Sequence, residues 1–279
     1  MSLEILSNYV LEIVIGIYLL IATFTDLKTR EVPDWLSFSL IPIVLAGKII
    51  QTLNSGDYSI LYNSLVGGLI TAFFGAILFY TKQWGGADLK IFVSLGLFFG
   101  LSTSLLNYFI AFVLAGAIYG IGANLAIMIN NWKSFWKYFI KDFNKNKKII
   151  TFFVVFFLII TFALFYYLYI QVGNYLFTIL LVPFLLFIIY LTNIISTKFM
   201  IKKIPLNKLT EGDWVTQDIV IKGKKLYSAK QLYVRKEDIA LMKKNKVKSV
   251  LVKYGIPFVP AIFLAYLIAL FLDLRFMIF

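Results

Sequence analysis

Runs of about 20 residues without a charge recur along this chain, the length at which a helix crosses a hydrocarbon core. Backbone groups in lipid must find partners within their own segment. The apolar residues here run on continuously instead of alternating, which predicts helices and disfavours a β-barrel. Apolar runs with at most one charge each place eight spans at 8–25, 35–52, 61–80, 89–103, 106–130, 149–170, 174–197 and 255–273. Residues 91–131 carry no charge and must hold two crossings, so the break falls at Ser102-Thr103-Ser104 and the fourth helix is short. The expected fold is an all-α polytopic membrane protein with a small cytosolic α+β insertion before the last helix.

The chain has 27 Lys+Arg against 14 Asp+Glu. Segments 26–34, 81–90, 131–148 and 198–254 hold 25 of the 27 basic residues, and all four fall on one side of the expected helices. That side is expected to be cytoplasmic, and an even number of spans then places both termini outside. Of the two exceptions, Lys48 is expected to snorkel from a helix end and Arg275 lies near the carboxyl terminus. Because topology accounts for the positive charge, no nucleic-acid partner is expected; the lipid bilayer is. Glu4 and Glu12, with no basic residue before the first apolar run, do not match a cleaved signal peptide, so the first span is expected to remain.

Five regions follow. Residues 1–130 hold the first five helices, and 131–148 form a basic cytosolic or interfacial segment in which lysines alternate with Trp132, Phe135, Trp136 and Phe139. Residues 149–197 add a helix pair. Residues 198–254 contain Gly212, Gly223 and short apolar alternations around Trp214-Val215-Thr216 and Val247 to Val252, which predict a small domain with two or three strands and one helix at 235–245. Residues 255–273 form the last membrane helix.

The chain contains no cysteine and no histidine, which removes thiol nucleophiles, Ser-His-Asp triads and His- or Cys-bound zinc. No metal and no cofactor are expected, and carboxylate chemistry comes to the front. Acids beside membrane helices are costly and suggest function. Asp26 closes the first helix and Asp88 opens the fourth, both at the expected cytoplasmic edge. Each also has an ordinary reading, Asp26 as a helix exit and Asp88 as an N-cap after Gly85, Gly86 and Ala87. Brought together, two carboxyls hydrolyse an amide without metal: the ionised one activates water while the protonated one polarises the carbonyl. Small residues just before Asp88 let a substrate backbone approach. Helix-end polarity places negative potential at Asp26 and positive potential at Asp88, which makes Asp88 the expected carboxylate and Asp26 the expected acid. Asp34 reads as a helix cap, and Glu211, Asp213 and Asp218 as turn and surface acids.

These residues carry a resemblance. Asp26, Arg30, Val32, Pro33 and Asp34, together with Gly85, Gly86, Ala87, Asp88, Leu89 and Lys90, resemble the two signatures of the archaeal type IV prepilin and preflagellin peptidases, which are GxGD-type membrane aspartyl proteases. Ala87 stands where the strict motif has glycine. Segments 209–214 and 254–261 look like the cytosolic part and last helix of archaeal members, whereas helices 149–197 are an addition to the usual six-span pattern. The resemblance implies Asp26 and Asp88 as the catalytic dyad, with Gly85, Gly86 and Ala87 as the close-approach loop and Arg30, Pro33 and Lys90 in supporting positions. It implies endopeptidase activity alone, because the zinc loop of bacterial relatives needs cysteine. Its implied partners are prepilin or prearchaellin precursors with class III signal peptides, cut at the cytoplasmic membrane face. The alternatives are a proton- or ion-coupled transporter subunit and a non-catalytic scaffold of a secretion assembly.

Overall fold

The computed structural model describes residues 3–172, 188–221 and 223–278. Five helices come first: α1 (Leu3–Thr29), α2 (Asp34–Ser55), α3 (Ser59–Tyr80), α4 (Gly86–Phe99) and α5 (Thr103–Asn130). They are followed by α6 (Trp132–Val172) and α7 (188–198). Among the described residues, Asn8–Thr29, Asp34–Ser55, Ser59–Tyr80 and Thr103–Asn130 are long and apolar enough to cross a membrane, and Val259–Leu272 is a shorter apolar helix. This is a helical membrane protein. Most of the span expected at 174–197 lies outside the described residues.

Helix α4 is short and central. Its 14 residues rise about 21 Å, and Ile91, Phe92, Leu95 and Leu97 are buried along it. It ends at Gly100, whose φ of 63° is left-handed, and α5 begins after Ser102, whose hydroxyl accepts from the Leu105 N–H at 3.3 Å. The expected break is therefore present. Glycines let α4 lie tight against α3: a Cβ at Gly67 would strike the Gly96 carbonyl, and one at Gly96 would strike Thr71. Ser64 donates across the same seam to the Leu97 carbonyl at 2.6 Å.

The basic segment 131–148 and the span expected at 149–170 form one helix, α6, of 41 residues. Lysine is a good helix former, so charge alone does not end a helix. Phe135 of α6 is buried against Ile194 and Ile195 of α7, and the Tyr190 hydroxyl donates to Asp142 at 2.9 Å. Lys48, expected at a helix end, instead faces Glu12 and lies 5.1 Å from the centre of the Phe98 ring.

The small domain has more strands than expected: β1 (Ile201–Pro205), β2 (Trp214–Val215), β3 (Ile219–Ile221), β4 (Lys224–Tyr227) and β5 (Ser249–Lys253), with α8 (Lys236–Lys244) before the last. One antiparallel sheet has the order β1-β5-β2, and β3 pairs with β4 in a second. Val234, Met242, Val250 and Val252 form its fully buried centre. From the middle strand β5 the chain passes through 254–258 into α9 (Val259–Ile278), which packs on α5 and α1.

Candidate active site

Asp26 lies one turn from the carboxyl end of α1, and only 6% of its surface is exposed. The Arg30 N–H donates to its carbonyl at 2.8 Å, after which Arg30 turns left-handed (φ 60°) and the chain leaves the helix. A buried carboxyl needs hydrogen-bond donors. Asp26 finds one far away in sequence: the backbone N–H of Val259, first residue of α9, donates to its Oδ2 at 3.0 Å.

Asp88 is the third residue of α4, not its cap. Gly85 holds the cap position, and its N–H donates to Asp88 Oδ2 at 2.9 Å. The helix-start role read from the sequence is thus present one turn into the helix. Asp88 lies within electrostatic reach of Asp26, and the Trp84–Phe258 contact places the start of α4 beside the start of α9, so the two carboxyls occupy the same end of the helix bundle.

Polarity taken only from the helix that carries each aspartate is incomplete. Asp26 sits at the negative end of α1 but also at the positive end of α9, which its side chain caps. Helix polarity therefore does not rank the two carboxyls, and the acid and base roles expected from it lose their basis.

Around the pair, the residues singled out in the sequence divide. Arg30 faces Asp26 and its guanidinium lies 5.6 Å from the centre of the Tyr254 ring. Lys90 points elsewhere: it pairs with Asp34 at 2.9 Å and covers the Phe38 ring at 3.4 Å, tying α4 to the start of α2. Pro33 opens α2, its carbonyl accepting from the N–H groups of Leu36 and Ser37 at 3.0 Å each. Gly85 and Gly86 do not need to be glycine for the fold. A Cβ at Gly85 would come no nearer than 3.4 Å to Asp88 Oδ2, and one at Gly86 no nearer than 3.9 Å to Phe79. Gly86 and Ala87 form the first turn of α4.

Three neighbours escape the sequence reading. Tyr119 of α5 lies within electrostatic reach of Asp26. Trp84, just ahead of the glycines, is buried at 5.6 Å from Phe258, so the loop before Asp88 touches the residue before Val259. Both rings join Phe92 and Phe112 in an aromatic floor. A single Tyr in an apolar run, or a single Trp at a loop before glycines, carries no signal of its own that could find them.

The small domain also reaches this end of the bundle. Lys82 donates to the carbonyls of Ala229 and Gln231 at 3.0 and 2.6 Å, and Thr210 to Glu31 at 3.3 Å. Its acids serve turns and surface pairs: Asp213 accepts from Thr210 at 2.8 Å, Asp218 pairs with Lys225 at 2.6 Å, and Glu211 pairs with Lys236 at 3.3 Å. Among the described residues no three acidic side chains group as a metal site.

Comparison with protein families matches residues 13–121 to the type IV leader peptidase family, the stretch that contains both aspartates. Comparison with curated proteins and with solved structures finds no match.

Proposed function

Residues 13–121 match the type IV leader peptidase family, and from that match we propose that the chain is a membrane aspartyl endopeptidase with Asp26 and Asp88 as its dyad. The observation that carries the reading is that two acids, 62 positions apart on different helices inside the matched segment, lie at the same end of the bundle within electrostatic reach of each other. With no histidine or cysteine in the chain, carboxylate, lysine, tyrosine and hydroxyl chemistry remain, and of these a carboxyl pair opens an amide by activating water. One carboxyl takes a proton from water as the other donates to the carbonyl oxygen; the tetrahedral intermediate then collapses as the leaving amine is protonated.

Gly85, Gly86 and Ala87 form the side against which the substrate backbone lies. Arg30 supplies positive charge beside Asp26, while Pro33 and Lys90 act as struts between α2 and α4. The substrates are precursors of pilin-like proteins or archaellins, cut between a basic leader and an apolar helix at the cytoplasmic face. In this reading the chain has eight spans, with both termini outside and the small domain in the cytoplasm.

The decisive experiment is co-expression with such a precursor. Asp26→Asn and Asp88→Asn each abolish cleavage while the protein still inserts, because Asn keeps the shape but cannot exchange the proton. Asp34→Asn retains most activity. Processing that survives either dyad substitution overturns the reading. For orientation, a reporter at the carboxyl terminus is expected outside and one inserted at Lys222 inside; finding both in the cytoplasm overturns the span count.

A further inference from the structure

The first four N–H groups of an α-helix lack intrahelical acceptors. In α9 the Phe258 carbonyl accepts from Ala261 and Ile262 at 3.0 and 3.3 Å, so these four begin at Phe258, and the third belongs to Pro260 and does not exist. Of the two that remain without a helical acceptor, Phe258 and Val259, the Val259 N–H is given to Asp26 across 233 positions of sequence. Val259 is 1% exposed and Asp26 6%, so the bond is screened from water. The Phe258 amide faces the same carboxylate.

The geometry points to the Val259 amide as a positioning group for Asp26, one through which the small domain sets the place of a dyad carboxyl. This rests on reading Asp26 as catalytic. The amide is held from two directions. On one side Phe258 is packed against Trp84 and Phe112, with ring centres at 5.6 and 5.9 Å, which ties it to the loop that leads into α4 and Asp88. On the other, residues 254–258 lead directly from β5, and Tyr254 donates its N–H to the Met200 carbonyl at 2.9 Å while its ring lies beneath Arg30. Displacing β5 therefore displaces the donor. A charge-assisted bond to a backbone N–H is directional, so it fixes where the carboxyl sits as well as satisfying it.

Val259 offers a clean way to delete the donor, because it is the first residue of α9, where proline fits helix geometry. The test compares purified full-length Val259→Pro, Val259→Ala and Asp26→Asn on a pilin-type precursor peptide with a class III leader. Val259→Ala keeps the amide and reports separately the effect of trimming the buried side chain. Val259→Pro is expected to lower kcat roughly ten- to a hundredfold, the scale of a small misplacement of a reacting group, with KM and the thermal midpoint unchanged. An ester in place of the 259 amide, introduced as α-hydroxyvaline, removes the N–H without the proline ring and decides the matter if Val259→Pro does not fold. Unchanged kcat in the proline and ester variants overturns the proposal, as does a change confined to KM. Equal loss in Val259→Ala also overturns it, since packing would then be the cause. Cleavage by Asp26→Asn is a different failure: it removes the dyad itself, whatever the amide does.

Discussion

Glycines occur in two parts of this molecule for two different reasons. Along the α3–α4 seam they are demanded by packing: Gly67 and Gly96 lie against each other's backbone, and a Cβ on either would strike it or Thr71. Before Asp88 they are not demanded, since a Cβ at Gly85 or Gly86 meets only ordinary contacts. Both sets sit on or beside α4. The seam sets the height and rotation of α4, and thereby of Asp88, whereas the loop leaves bare backbone where no protein group requires it. On the proposed function, the space left beside Gly85 and Gly86 is where substrate backbone lies, while the seam is scaffold.

Substitution can break that distinction. The largest effect is expected from Gly96→Val, which forces α3 and α4 apart against backbone atoms and costs about 3 kcal/mol or more; the protein should fail to accumulate in the membrane. Gly86→Val should accumulate normally and melt within a few degrees of wild type, yet cleave roughly ten- to a hundredfold more slowly, because the new side chain stands where substrate backbone would lie. If Gly86→Val is instead as poorly folded as Gly96→Val, the loop is scaffold too. Gly75→Ala sharpens the comparison from within the seam. There the added Cβ would come to 2.6 Å from Leu89 Cδ1, the end of a side chain that can rotate, and a loss of only about 1 to 2 kcal/mol is expected from thermal melting. Smallest is Gly120→Ala in α5, where nothing lies within 4 Å; stability should rise by about 0.5 to 1 kcal/mol as the helix loses a flexible residue, with cleavage unchanged.

Much of the membrane part is legible in the sequence because the bilayer enforces simple rules. Long uncharged runs place α1, α2, α3 and α5, and the Ser102 cap marks the turn between α4 and α5. Asp26 and Asp88 stand out because acids at helix ends are few in this chain and both share one end of the helix bundle. What cannot be read is nonlocal. Nothing near Asp26 announces that its partner is the amide of Val259, and Lys48 facing Glu12 depends on how α1 and α2 pack. The hairpin of β3 and β4 escapes because its strands are three and four residues long, too short for an alternation to show, although Gly223, at φ 77°, marks its turn. Helix α6 runs through the lysines that suggest a boundary, because a helical backbone needs only residues that tolerate a helix.

The bond between Asp26 and Val259 has a consequence in time. A ribosome adding about 5 to 20 residues each second needs roughly 10 to 50 seconds to travel the 233 positions from one to the other. Throughout most of that interval both aspartates have already been made, while the donor that seats one of them is still absent. A nascent chain stalled before residue 259 would thus carry both aspartates without this donor, so the seating of Asp26 waits until α9 has been made.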